Sequence, residues 1–304
     1  MIETIDIADL DVIFLTYDEP KKDEFWVRIQ NIVPWAKRVD GVKGSDAAHK
    51  AAADASSTER FILIDGDNIP EANFFNLQLT LNDVNKDCVF RWKARNNING
   101  LMYGNGGISC WTKQFAHAMR THEATDGRTE TLVEFCFDPK YIAMHDCYSM
   151  TYPNATAFQA WRAGFREGVK MCLDRGSRPS VDEFRNRVNA RNYDHLSIWH
   201  NIGRDVENGD WAIYGARLGT YLTMLTEWDY TEVQDFDKLE NIWKHFADYP
   251  PKTMTELLGN KLGLQLVNYD SAQSKFFKHH YKSNYVNKGP MVTEMEVIRQ
   301  QEGW

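Results

Sequence analysis

The chain has no apolar stretch approaching the ~18 residues that a membrane-spanning helix requires, and its start, Met1-Ile2-Glu3-Thr4, lacks the basic residues and apolar run of a secretion signal. These two absences predict a soluble, cytoplasmic protein with no membrane partner. Cysteine is sparse. The five residues Cys88, Cys110, Cys136, Cys147 and Cys172 are odd in number and never spaced C-x-x-C, which argues against a disulfide framework or a thiolate zinc site and for reduced, buried thiols. An excess of basic charge is also missing. Thirty-five lysines and arginines face 43 acids, for a net charge of −8, an average that does not suit a dedicated nucleic-acid binder. Internal repeats and low-complexity tracts are absent.

What is present is an ordinary globular composition, 43% hydrophobic over 304 residues, enough for a large core. The first half alternates short apolar runs with helical stretches. Asp11–Thr16 reads as a buried strand, ending at the polar turn Tyr17-Asp18-Glu19-Pro20. A helix is expected from about Asp23 to Val33. Gly41–Gly44 reads as a turn, with Ser45 capping an alanine-rich helix over Ala47–Ala55. Phe61–Ile64 reads as a second buried strand that runs into Asp65-Gly66-Asp67-Asn68. Further strands are expected near Cys88–Trp92, Ile108–Trp111, Val133–Phe137 and Tyr141–Met144. Strands separated by helices imply an α/β fold with a mostly parallel sheet, whose ligands bind beyond the carboxyl ends of the strands.

The second half reads as mainly helical. Thr156-Ala-Phe-Gln159 and Ser180-Val-Asp-Glu183 both have the capping-box pattern. Phe158, Trp161, Phe165, Val169 and Cys172 recur every three or four residues, the signature of an apolar helix face. A soft boundary near 155 therefore separates residues 1–155, which would bind nucleotide-sugar and metal, from a helical acceptor-side region over 156–304.

Asp65-Gly66-Asp67 is the motif with the most chemistry. Carboxylates two residues apart after a strand project from one side. They suit a hard cation such as Mg²⁺ or Mn²⁺, which as a Lewis acid would stabilise charge on a departing diphosphate. Gly66 leaves room for that group. The same spacing occurs at Asp9/Asp11 and Asp235/Asp237, but only Asp65/Asp67 follows an apolar strand. The competing reading is an ordinary Asp-Gly turn.

These pieces together resemble the nucleotide-binding half of GT-A-fold (Rossmann-related) glycosyltransferases: Ile13–Pro20, then Val42–Ala53, then Phe61–Asp67. Tyr17–Pro20, Arg38–Gly44, Asn99–Gly107 and Phe158–Lys170 are similar to a glycosyltransferase-like group common in tailed phages, over roughly residues 10–220. The resemblance implies a UDP-type sugar donor. Thr16, Tyr17, Asp18, Glu19, Asp40, Lys43 and Gly66 would lie on the donor side, and Asp65 and Asp67 on the metal. His145 would be the third metal ligand, with His200 as its alternative. It also implies an acceptor-side glycine loop, with Asn99, Tyr103, Gly106 and Gly107, and a carboxylate base after it, Asp126 or else Glu130.

Residues 161–191 carry eight cations against four acids, a local excess within an acidic chain. Arg162, Arg166 and Lys170 follow at i+4 spacing beside Trp161, a stripe able to grip phosphate. Lys275–Lys288 interleaves four lysines with four aromatics, a pattern suited to nucleic-acid strands. With the phage resemblance, these runs point to duplex DNA carrying 5-hydroxymethylcytosine or another hydroxymethylated pyrimidine as acceptor, its base turned out of the helix. Solvated helix faces explain both runs equally simply. A glycan or protein acceptor, and a non-catalytic nucleotide-sugar or glycan binder, are the other readings. A nucleotidyltransferase would need a glycine- and lysine-rich phosphate loop, which Thr16–Pro20 lacks.

Overall fold

The computed structural model describes residues 2–102, 107–119, 140–188, 190–262 and 269–286. Its centre is a seven-stranded sheet built from β2 (Asp11–Thr16), β3 (Lys37–Asp40), β4 (Arg60–Asp65), β5 (Asn68–Pro70), β7 (Val89–Asn96), β8 (Ile108–Thr112) and β9 (Tyr141–Thr151), in the spatial order β3-β2-β4-β8-β7-β9-β5. β1 (Glu3–Asp6) and β6 (Gln78–Leu81) form a separate antiparallel pair.

The sheet is mixed, a correction to the mostly parallel expectation. β2 pairs in parallel with both β3 and β4, and β7 with β9. The β4–β8, β8–β7 and β9–β5 pairings are antiparallel. Apolar runs announce buried strands but carry no direction, since period and composition are the same either way. The parallel part is built by two helical crossovers, α1 (Lys22–Ile32) between β2 and β3 and α2 (Ser45–Ala55) between β3 and β4. The first crossover steps to one side of β2 and the second returns to its other side. The gap beyond the carboxyl ends of β2 and β4 is thus a topological switch point, where open α/β sheets bind ligands.

One face of the sheet buries Val12, Phe14, Ile62, Ile64, Phe90 and Cys110 against Phe25 and Ile29 of α1. The other buries Ile13, Phe61, Leu63, Val89 and Trp111 against Ala52 and Ala53 of α2. This period-2 alternation, both faces apolar, explains the continuous hydrophobic runs. Gly44, not Ser45, precedes the first residue of α2, and no side chain caps that helix.

The helical half comprises α4 (Ala157–Lys170), α5 (Phe184–Arg187), α6 (Ala190–Asn201), α7 (Gly209–Leu225), α8 (Phe236–Phe246), α9 (Pro251–Leu262) and α10 (Ser271–Val286), while α3 (Lys113–Ala118) follows β8. Thr156 caps α4 by accepting from the Gln159 N–H at 3.1 Å, and the Gln159 side chain accepts from the Ala155 N–H at 2.9 Å. Ser180-Val-Asp-Glu183 is instead a turn. The Ser180 hydroxyl donates to the Glu183 carboxylate at 3.1 Å, which removes it from any role as cap. Among the described residues no helix is long and apolar enough to cross a membrane.

α4 and α7 cross at backbone contact. A side chain at Gly164 or Gly168 would run into the carbonyls of Ala212 and Ala216, and one at Gly215 or Gly219 into those of Trp161 and Phe165. Both helices therefore need glycine at matched i, i+4 positions. Trp161, Phe165 and Val169 then pack with Tyr214, Leu218, Val233, Leu239 and Leu258 into the largest core of this half. Gly168→Val should lower the unfolding free energy by about 2 kcal/mol or more, in the range of overpacked cores. Urea unfolding followed by circular dichroism measures this; wild-type stability in the variant would mean the helices do not meet at Gly168.

Candidate functional site

β4 carries Asp65 as its last residue, and the chain turns through Gly66 and Asp67 into β5. The turn is held from three directions. The Asp65 N–H donates to the Gly107 carbonyl at 2.9 Å, and the Tyr152 N–H donates to the Asp67 carbonyl at 2.8 Å. The Asp67 carboxylate accepts from Asn68 Nδ2 at 2.7 Å and from the Thr151 hydroxyl at 3.1 Å. Asn68 also accepts from Ser149 at 3.2 Å. Gly107 lies so close to the Asn68 amide that a Cβ there would overlap it, so this glycine serves the acidic turn directly.

The turn after β2 brings a third carboxylate. The Glu19 side chain accepts from the Tyr17 N–H at 2.7 Å and lies over Gly66, where a Cβ would be 2.6 Å from its carboxyl carbon. Gly66 is thus required by Glu19 crossing above it. Enclosure by surrounding protein, then the charges of Asp67 and Glu19, push the Asp65 carboxyl up to about 7. Asp65 still keeps contact with solvent, and its like-charge neighbours add to the effect of desolvation. Burial likewise raises Asp67 against the opposing bonds from Thr151 and Asn68, and raises Glu19 against its bond from Tyr17. The counter-charge is Arg162 of α4. Burial depresses its guanidinium, and the fields of Asp18, Asp67 and Glu19 oppose that.

The remaining donor-side residues form a network of their own. Asp40 accepts from the Thr16 hydroxyl at 2.7 Å and from Lys22 at 2.8 Å, while Arg38 donates to Thr16 at 3.0 Å. Lys22 also donates to the Tyr17 carbonyl at 2.7 Å. Thr16 is buried and committed to these bonds, a correction to its expected contact with a nucleoside: its job is to brace the turn that carries Glu19. Tyr17 and Asp18 are exposed beside the cluster, and Lys43 is exposed on the loop before α2.

Other expected members are elsewhere. His145 sits in β9, six residues before Thr151, the residue bonded to Asp67. Its register against β7 lies between the pairs Arg91–Ala143 and Lys93–Cys147, about four β7 residues from the Asn96–Thr151 pair; at ~3.3 Å per residue this is roughly 13 Å along the sheet, beyond reach of a shared metal. His200 is fully buried with Nε2 2.8 Å from the Thr220 hydroxyl, between α6 and α7. Trp161 is fully buried, its ring centroid 4.8 Å from Phe165 and 5.5 Å from Trp243; it is core, not acceptor surface. Asn99 is buried and accepts from the Leu101 N–H at 3.1 Å. Tyr103, Gly106, Asp126, Glu130 and the strand expected at Val133–Phe137 lie outside the described residues. Lys170 pairs with Glu167 at 3.8 Å.

The two rival Asp-x-Asp pairs have structural work. Asp235 caps α8 by accepting from the N–H groups of Asp237 and Lys238. Asp11 accepts from Lys37 at 2.8 Å and from Ser57, bonds that outweigh its burial and hold its carboxyl well below the usual range. Much of the basic run is similarly engaged: Arg187 with Asp174, Arg178 with the carbonyls of Thr223 and Thr226. In the C-terminal run, Lys278 pairs with Asp205 at 2.6 Å and donates to the Asn97 carbonyl at 3.1 Å, which docks α10 onto the loop after β7.

Among the described residues no group of three or more His, Cys, Asp or Glu side chains is arranged to hold a metal. Asp65 and Asp67 still fit a hard cation of the kind held by one or two carboxylates plus substrate phosphates and water. Burial raises the proton affinity of both, and at Asp65 the charges of Asp67 and Glu19 add to it. Comparisons of the chain with protein-family models, curated proteins and solved structures find no match.

The raised Asp65 pKa fixes a sign. From the ordinary 3.8 to about 7 the folded state holds more protons than the unfolded state, so stability declines as pH rises through that window. In EDTA, Asp65→Asn should unfold at higher urea than wild type at pH 8, with the gain fading towards pH 4. A variant less stable than wild type at pH 8 would show that Asp65 is favourably paired instead.

Proposed function

We propose that this protein is a metal-dependent glycosyltransferase that moves a sugar from a UDP-type donor to a hydroxyl acceptor. The observation that carries the reading is the position of Asp65 and Asp67: a braced carboxylate pair at the carboxyl end of β4, beside the crevice where the direction of the crossovers reverses. Asp65 and Asp67 would hold Mn²⁺ or Mg²⁺, which when bound offsets charge developing on the diphosphate.

The chain's own residues supply the rest. Thr151 and Asn68 orient the Asp67 carboxylate, so it is fixed before a ligand arrives. The Thr16–Asp40–Lys22 network sets the turn on which Tyr17 is presented to solvent at the crevice. Tyr17 offers a ring face suited to a nucleobase. The GT-A-like character of the parallel β2–β3–β4 portion belongs to the same proposal. So does duplex DNA with hydroxymethylated bases as acceptor. That choice draws on the exposed residues of α10, such as Lys275 and Phe276, and on the phage resemblance.

The test mixes protein, Mn²⁺, a panel of UDP- and GDP-sugars, and duplex DNA with or without 5-hydroxymethylcytosine. Released diphosphate and DNA mass are followed together. The expected result is diphosphate release, and a sugar-sized mass gain confined to hydroxymethylated DNA. Asp67→Asn should reduce release at least a hundredfold while leaving the circular dichroism spectrum unchanged, the scale of losing a charge-stabilising group. Release without a DNA mass change moves the acceptor to a glycan, a protein or water. No release with any donor favours a nucleotide-sugar or glycan binder.

A further inference from the structure

Arg162 and Arg166 are one turn apart on α4, and one aromatic ring holds both. The Arg162 guanidinium carbon lies 4.9 Å from the centroid of Phe236, and that of Arg166 lies 5.4 Å from it. Arg162 also lies 5.3 Å from the Phe158 ring. Phe236 is the first residue of α8, half exposed, and fixed by the Asp235 cap. Stacking on an aromatic face leaves the in-plane N–H donors of a guanidinium pointing outward from the ring edge.

Those donors have no acceptor among the described residues. Among the described residues neither guanidinium makes a hydrogen bond or pairs with a carboxylate within 4.0 Å. This is unusual for half-buried arginines, since enclosing a charge without a partner is costly. Arg187, Arg204 and Arg38 in the same chain all pair with a carboxylate. The charges acting on Arg166 are its neighbours Glu167 and Arg162, whereas Arg162 feels the carboxylates of the acidic turn. Two planar cations held over one ring, with no acceptor among the described residues, match the oxygens of a phosphoanion.

We propose that Arg162 and Arg166, organised by Phe236, bind the diphosphate of the nucleotide, so that α4 serves the leaving group and not the acceptor. The assignment of that anion to a nucleotide rests on the glycosyltransferase reading, because α4 faces the acidic turn through Arg162. Phe236 is a positioning residue: it acts by fixing two guanidinium planes.

The test is calorimetric titration of the full-length protein with inorganic pyrophosphate in EDTA, without metal. Wild type should bind. Phe236→Leu, which keeps the apolar volume but removes the ring face, should weaken binding about tenfold, near the upper range for a desolvated cation–π contact. Arg166→Lys, which keeps the charge but loses the planar fork, should weaken it to a similar degree. Phe236→Tyr should restore it. Thermal melts of each variant confirm folding, and lysine at 166 leaves net charge unchanged, so Arg166→Lys decides the matter should Phe236→Leu fail to fold. No wild-type binding, or equal affinity in Arg166→Lys, overturns the proposal. Binding of unmodified duplex DNA that depends on Arg166, with none of pyrophosphate, also overturns it and assigns the pair to a nucleic-acid backbone. The glycosyltransferase reading fails on a different result, the absence of donor cleavage with Mn²⁺, which pyrophosphate binding does not touch.

Discussion

Like charge brought together at the carboxyl ends of β2 and β4 is the constraint around which the rest of this protein is arranged. Asp65, Asp67 and Glu19 come from two turns that are far apart in the chain and adjacent in the sheet because β2 and β4 pair in parallel. Their mutual repulsion must be opposed by the scaffold. Asn68 and Thr151 bind Asp67, the Tyr17 N–H binds Glu19, and Gly107 receives the backbone of Asp65. Each is a rigid, short-range bond from a strand or strand end. Burial raises the proton affinity of all three, with the neighbouring carboxylates adding to it at Asp65 and Glu19, and negative charge gathered this closely also favours a cation that enters.

The helical half answers that charge from the other side. Arg162 of α4 lies within the field of the carboxylates, and α4 is seated by glycines that let its backbone touch that of α7. A helix packed at side-chain distance would stand several ångströms farther out, since ordinary helix pairs are separated by ~8–10 Å. The close crossing is thus linked to the electrostatics: small residues on one face of α4 decide how deeply the arginines on another face reach. Phe236, delivered by α8, then orients those arginines. At this site the sheet turns supply the carboxylates and α4 supplies the arginines.

The apolar runs at Asp11–Thr16 and Phe61–Ile64 marked two central strands, and the spacing of Trp161, Phe165 and Val169 marked the buried face of α4, because burial writes itself into local composition. Strand direction was not legible. β8 and β7 read like any other buried strands, and only pairing shows that β8 runs against both its neighbours. The same limit applied to the histidines. A histidine following an apolar run suits a ligand equally well anywhere along β9, and register alone puts His145 far from the acidic turn. The basic run of α4 to α6 looked like one surface, yet Arg187, Arg178 and Lys170 are taken up by nearby partners that no spacing rule reveals.

What the sequence by itself determined is the set of local facts: where apolar segments are long enough to be buried, that Asp65-Gly66-Asp67 follows such a segment whereas Asp9/Asp11 and Asp235/Asp237 do not, and that Thr156 opens a helix. These follow from nearest-neighbour chemistry within one turn or one strand. Tertiary structure alone decided which distant residues meet. Glu19 over Gly66, Thr151 on Asp67, and Phe236 between Arg162 and Arg166 join positions 47, 84 and about 70 residues apart. Contacts across such separations depend on strand pairing and helix crossing, which arise from the packing of the whole chain and leave no periodic trace in any one segment.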